Sequence, residues 1–436
     1  MGPCFRRRSI FESEGKDRMI KQIIKVLKEV EGVSDYRIQE LTEKSHQAFF
    51  VLGKLETTRL QETREYEVTV YNRHNDLIGS SKFKVSHKCS NSELKTLAEE
   101  AVYAAKFVNN KDFSLVKGLK KKSFKDAPFK DSFEEMVAKI HDIYTKYATP
   151  NMKFNAVEVF YNEKTNHIVN SQDVNLTNTI YDLEIESIPS YDGKEKVELY
   201  KFDKYTTLDY AQIESNVKQA LKDVEARYNA VKLPKIKKCD IILRNKDCAE
   251  FFEYFTYDYS YEMVFSGETD KKPGDLLVDE KAKTKLTIDL GPSTKAKAFD
   301  RDGILLKKFN IVNKGVLTSY YGDNATGQYL NLTPIGTPDE IQVKKGTKSL
   351  EALTKGKYIE IIALSGIQID IRADYIGGEV RLAIYHDGET ATPISGFSFS
   401  GSFKQALNTL TTSKETVKIS GYNGPKYIRF KNVSVM

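Results

Sequence analysis

Glu253 and Asp258 are the carboxylates whose placement first suggests chemistry, because they share the strongly aromatic stretch Asp247–Ser266, DCAEFFEYFTYDYSYEMVFS. As a pair they could serve acid–base work; without a third group, solvated or helix-capping roles fit them better. The histidines, His46, His74, His87, His141, His167 and His386, never approach one another in an HxH or HExxH spacing, so no metal pair is written into one helix. GxGxxG, GxxxxGK[ST] and GxSxG are all absent. Ser398 and Ser400 stand between Gly396 and Gly401 without the spacing of a nucleophile elbow, and read as strand positions. Cys4, Cys89, Cys239 and Cys248 form no CxxC. Neither a zinc knuckle nor a disulfide framework is indicated, and a reducing, cytoplasmic setting fits.

The chain of 436 residues carries 67 basic and 61 acidic side chains, a net +6 that is mild for its length. The richest basic run, Lys117–Lys130, also holds Asp126 and Pro128. It therefore reads as a solvated linker, and nucleic acid is not the expected partner. No apolar run reaches the roughly 18 residues that a membrane helix needs. Residues 1–18 resemble neither a signal peptide nor a myristoylation site and read as a disordered extension.

The elements that must position these residues follow from periodicity. Ile20, Ile23, Ile24, Leu27 and Val30 form the stripe of an amphipathic helix starting at Met19. Strand-like alternation covers Ala48–Leu52, Tyr66–Tyr71 and Ser81–Val85, with Asn75-Asp76 at a turn. Ser90 with Glu93, and Ser132 with Glu135, have capping-box spacing ahead of helices through Leu94–Ala105 and Met136–Tyr144. A long alternation over Ala156–Tyr200 precedes a helix near Leu208–Tyr228, which Leu233-Pro234 closes. Strands dominate thereafter, ending in a meander over Lys357–Leu410 whose tight turns are assigned to Gly377-Gly378 and Asp387-Gly388. The reading is α+β: a mixed N-terminal α/β domain over residues 19–232, then a mostly antiparallel β domain over residues 238–436. Aromatics on every side of the 247–266 segment, taken as one helix, require core packing, a subunit interface or a peptide-binding wall.

The order of C-terminal signals resembles the TldD/PmbA family, metalloprotease-related proteins also named modulators of DNA gyrase. Those signals are Asp240-Ile241-Ile242-Leu243, Ala298–Gly303, Val312–Leu317, Ala325-Thr326-Gly327, Leu364-Ser365-Gly366, His386-Asp387-Gly388 and Pro393–Gly401. The resemblance spans residues 19–436 and is strongest over 298–410. It implies dimers with a cavity between subunits and proteolysis of small or unfolded peptides. In the active branch an HExxxH helix and a late cysteine hold the metal. On this chain the histidine positions fall at Phe252 and Tyr257, the glutamate at Glu253 and the cysteine near Ser420. A ring, a phenol and a hydroxyl cannot replace imidazole and thiolate donors. The resemblance thus implies the PmbA-like branch: no metal or other cofactor, and Phe252, Glu253, Tyr257 and Ser420 facing a peptide as a silent homodimer or beside a TldD-like subunit. An active peptidase using Glu253, and a gyrase- or nucleic-acid-associated adaptor, are the alternatives.

Overall fold

A computed structural model describes residues 12–119 and 121–436. Its N-terminal part is one sheet with helices on one face. The helices are α1 (Glu12–Glu29), α2 (Asn91–Ala105), α3 (Phe133–Lys146) and α4 (Tyr210–Tyr228). The strands are β1 (Asp35–Val51), β2 (Lys54–His74), β3 (Leu77–Val85), β4 (Asn110–Lys111), β5 (Lys122–Lys125), β6 (Met152–Asn170), β7 (Asn175–Asp192), β8 (Lys196–Glu198) and β9 (Lys201–Tyr205). They run in the order β4-β3-β2-β1-β6-β7-β5, with β8 and β9 on β7.

Both capping boxes form. The Glu93 amide donates to Ser90 Oγ at 3.3 Å while Glu93 Oε2 accepts from the Ser90 amide at 2.8 Å, and Ser132 with Glu135 repeats this. Helices α1 and α2 cover Ile38, Val68 and Val70, whereas α3 and α4 cover Ala48, Val159 and Leu183. Ile38 and Ala48 have the same parity along β1, so all four helices lie on one side of the sheet. Helix α1 begins at Glu12 rather than Met19, so residues 12–18 are helical instead of belonging to an extension. Residues 1–11, with Cys4, lie outside the described residues. Part of the basic run forms the edge strand β5, parallel to β7.

The C-terminal part follows as β10 (Val231–Lys232), β11 (Lys238–Arg244), helices α5 (Lys246–Tyr257) and α6 (Tyr261–Phe265), β12 (Ile288–Gly291), β13 (Phe309–Asn313), β14 (Val316–Leu317), α7 (Asn324–Tyr329), β15 (Glu340–Val343) and α8 (Leu350–Leu353). Then come β16 (Tyr358–Asp370), β17 (Tyr375–His386), β18 (Ala391–Ser395), β19 (Phe397–Gly401), α9 (Phe403–Thr409), β20 (Thr411–Thr412), β21 (Thr416–Ile419), β22 (Tyr422–Pro425) and β23 (Tyr427–Val435). Pairing is mostly antiparallel, so the fold is α+β. Strands β17, β16, β11, β23 and β19 close into a ring, since β19 also pairs with β17. A separate sheet, β14-β13-β12-β15-β22-β21, lies against it with the main core between them.

Asp387-Gly388 makes its turn, with Gly388 at φ +108°. Gly377-Gly378 does not: both lie inside β17, and the turn is at Ile371–Asp374 with Asp374 at φ +52°. Their role is close approach. A Cβ on Gly377 would stand 2.9 Å from the Phe399 carbonyl oxygen, and one on Gly378 3.1 Å from that of Gly366.

The two parts share a core. Ile168, Val174 and Leu176 of the N-terminal sheet pack with Phe299. Arg37 is ion-paired to Asp302, and Asn324 Nδ2 donates to the Ser114 carbonyl oxygen at 2.7 Å.

Candidate functional site

The aromatic segment is two helices. Strand β11 delivers Arg244 to a reversal at Asn245 (φ +49°), after which α5 runs to Tyr257. The chain then breaks at Asp258–Ser260, where Ser260 bridges Tyr321 and caps α6 through the Met263 amide at 3.3 Å. Inside the fold, Phe251 lies 5.7 Å from Phe403 and 6.2 Å from Phe430 between ring centroids, and Phe255 packs on Tyr259 at 5.6 Å. Phe252 stacks on Tyr422 at 6.1 Å and has 0% exposure.

Phe252 therefore does not line a cavity; it seals the joint between α5 and the β22 strand. In this chain Phe252 and Tyr257 do not share a site, since one ring is enclosed and the other exposed. Residues five apart on a regular helix stand about 140° apart around its axis. When Phe252 turns inward, Tyr257 turns out. Tyr257 is 44% and Tyr254 41% exposed, and Glu253 is exposed beside them. Ser420 is exposed at the β21–β22 turn. Asp258 is buried rather than paired with Glu253: Thr269 Oγ1 donates to it at 3.1 Å, and burial raises its carboxyl above the ordinary range.

What α5 and α6 offer outward is an aromatic strip with carboxylates along it. Tyr257 Oη donates to Glu262 at 2.9 Å, a bond that together with partial burial raises the phenol's pKa. Phe265, 55% exposed, meets Tyr329 of α7 at 5.3 Å between centroids. Arg372 closes one end, ion-paired to Glu268 and donating through Nε to its carbonyl oxygen at 2.7 Å. Such a surface can stack on side chains and accept hydrogen bonds from an extended chain. A hydrolytic metal does not fit here. Phe252 contributes no donor, Tyr257 and Ser420 are neutral oxygen ligands, and no group of three or more His, Cys, Asp or Glu side chains gathers among the described residues.

Sequence reasoning missed Asp247. A carboxylate in the first turn of a helix ordinarily faces water, yet this one is buried, and neither its Oδ1 nor that of Asn245 finds a donor among the described residues. Burial, only partly offset by Lys246, pushes its carboxyl up to about 7. The folded chain therefore keeps a proton that the unfolded chain releases near 3.8. Stability falls as pH rises through that window, by on the order of 4 kcal/mol for a shift of this size. Asp247→Asn is expected to remove this component: the difference between the urea midpoints at pH 5 and pH 8 should shrink in the variant, with a remainder from groups such as Asp300, whose carboxyl burial pushes up to about 6.

The profile of the PmbA/TldA metallopeptidase C-terminal domain matches residues 236–436, the part that contains the strip. Residues 236–436 thus form a C-terminal domain of the TldD/PmbA family. Solved structures agree over the whole length. A candidate modulator of DNA gyrase from Bacteroides thetaiotaomicron is 15% identical with a TM-score of 0.76, covering 98% of this chain and 99% of its own. TldE from Thermococcus kodakarensis is 16% identical with a TM-score of 0.73, covering 97% and 99%. A second candidate gyrase modulator, from Thermotoga maritima, is 15% identical with a TM-score of 0.70 and the same coverages. At such identities the likeness establishes the TldD/PmbA fold, not a shared activity. No curated protein matches the sequence. Among the described residues no helix is long and apolar enough to cross a membrane.

Proposed function

We propose that this is a metal-free, PmbA-like member of the family that holds extended or unfolded peptide without cleaving it, as a homodimer or beside a TldD-like subunit. The observation that supports the reading is the strip itself: Tyr254, Tyr257 and Phe265 stand exposed on α5 and α6. Aromatic rings exposed together are a binding surface more often than a fold requirement. The free cysteines, Cys89, Cys239 and Cys248 among the described residues, support a cytoplasmic setting.

The test is a fluorescence-anisotropy titration of a labelled, unstructured casein fragment, with metal analysis of the same preparation. Binding is expected, with Tyr254→Ala/Tyr257→Ala weakening it at least tenfold and little metal bound. Stoichiometric metal would replace this reading. So would cleavage that resists chelator and disappears in Glu253→Gln, which would make the protein a peptidase using Glu253. DNA binding that falls steeply with salt would instead point to an adaptor.

A further inference from the structure

The outward face of α5 carries charge of one sign. At about 100° per residue, Glu250, Glu253, Tyr254 and Tyr257 share roughly 100° of arc, opposite Phe251, Phe252 and Phe255. Glu253 and Tyr254 are exposed, while Glu250 is half-buried, its Oε1 accepting from the Ile367 amide at 3.4 Å. From Cys248 to Asp270 the chain holds six acidic residues, Glu250, Glu253, Asp258, Glu262, Glu268 and Asp270, and neither lysine nor arginine. Of the cations nearby, Arg372 is spent on Glu268, and Lys111 lies at the far end, donating to the Tyr329 carbonyl oxygen at 3.4 Å. Tyr257 stands between two carboxylates: Glu253 is one helical turn before it, and Glu262 accepts from its hydroxyl. The Glu253 carboxylate has no hydrogen bond or ion pair of its own among the described residues. The last turn of α5 adds the negative end of the helix dipole beside Tyr257.

We propose that the peptide this strip takes is a basic one: an extended segment whose arginine or lysine lies over Tyr254 and Tyr257, with its cation between Glu253 and Glu262. The inference rests on the reading of the strip as a peptide surface and names what that surface selects. The rings make the surface; the carboxylates choose its occupant. An aromatic face attracts a cation through its quadrupole, and a carboxylate beside the ring adds a charge-assisted hydrogen bond. A guanidinium suits the pair best, because its flat body stacks on a phenol ring while its edge donates to the carboxylate. Glu250 and Glu253, three residues apart on one helix face, repel each other with no cation of the chain between them, and a bound cation relieves that repulsion. A neutral segment keeps only the ring contacts. An acidic one meets Glu253 and Glu262 head-on and is rejected. Each of these exposed contacts is weak in water, so their combined preference amounts to about tenfold.

Anisotropy titrations of the full chain test it, using labelled, Gly/Ser-rich peptides that are identical except for arginines, glutamines or glutamates at the same positions. The arginine peptide is expected to bind about tenfold more tightly than the glutamine peptide, and the glutamate peptide more weakly than either. The advantage of arginine should shrink as salt rises. Glu253→Gln/Glu262→Gln should bring the arginine peptide down to the level of the glutamine peptide; both side chains are exposed, and the new amide at 262 still accepts from Tyr257, so the fold is kept. Equal affinity for the arginine and glutamine peptides, a preference for glutamate, or an arginine preference untouched by the double variant would each overturn the proposal. The casein fragment separates that failure from failure of the reading beneath it. Casein held through Tyr254 and Tyr257, beside equal arginine and glutamine peptides, sinks the selectivity alone; no binding of casein or of any of the three peptides sinks both.

Discussion

Phe252→Ala is expected to destabilise the protein by about 3–5 kcal/mol, read as a lowered urea midpoint with an unchanged slope. The ring is fully enclosed, stacks on Tyr422 and meets Phe251 edge-on at 5.3 Å, so its removal leaves a void between α5 and the outer sheet. The companion variant Tyr257→Ala removes an exposed ring and one hydrogen bond to Glu262, and should cost less than about 1 kcal/mol. The contrast separates the two meanings of the aromatic segment. A mild Phe252→Ala would mean that this residue faces a cavity after all.

Asp223→Ala should cost about as much. Arg244 Nη2 donates to both oxygens of Asp223 at 2.9 Å, and Lys201 Nζ donates at 2.7 Å. Glu360, ion-paired with Arg244 at 3.6 Å, balances part of the guanidinium's charge from the other side. Burial alone would raise the Asp223 carboxyl, but Arg244 and Lys201 more than reverse this and hold it below its ordinary value of 3.8. Its stabilising contribution is therefore complete above that value and fades as pH falls through the folded-state pKa. Removing Asp223 leaves the buried guanidinium with Glu360 as its one remaining carboxylate partner, a loss toward the lower end of roughly 3–5 kcal/mol. Asp223→Ala/Arg244→Met should recover a large part of it, since deleting both charges removes the desolvation cost. Thermal or urea unfolding of the single and double variants provides the check.

Much of the fold was legible because local chemistry and periodicity agreed. Ser90 and Ser132 each announced a helix through a glutamate three residues on, and Asn75-Asp76 announced a hairpin through two residues that tolerate positive φ, observed at +49° and +62°. The long hairpin was only half legible. On β1, Ser45 and Gln47 are buried polar residues, and from Lys54 to Thr63 β2 is exposed on both faces, so neither stretch alternates in polarity. The Gly377-Gly378 pair misled because glycine serves close backbone approach as well as turns. In α5, phenylalanine and tyrosine count alike as aromatic, yet the phenylalanines go in and Tyr254 and Tyr257 stay out; the hydroxyl was the signal. Asp247 gave none, since nothing local distinguishes a buried first-turn carboxylate from a solvated one.

The packing of Phe299 on Ile168, Val174 and Leu176 has a consequence for synthesis. During translation the N-terminal sheet emerges before the residue that covers one of its greasy patches, and more than a hundred codons separate Leu176 from Phe299. Until that delay ends, the nascent chain presents bare aliphatic surface to whatever meets it at the ribosome exit, and holding chaperones have their natural moment there.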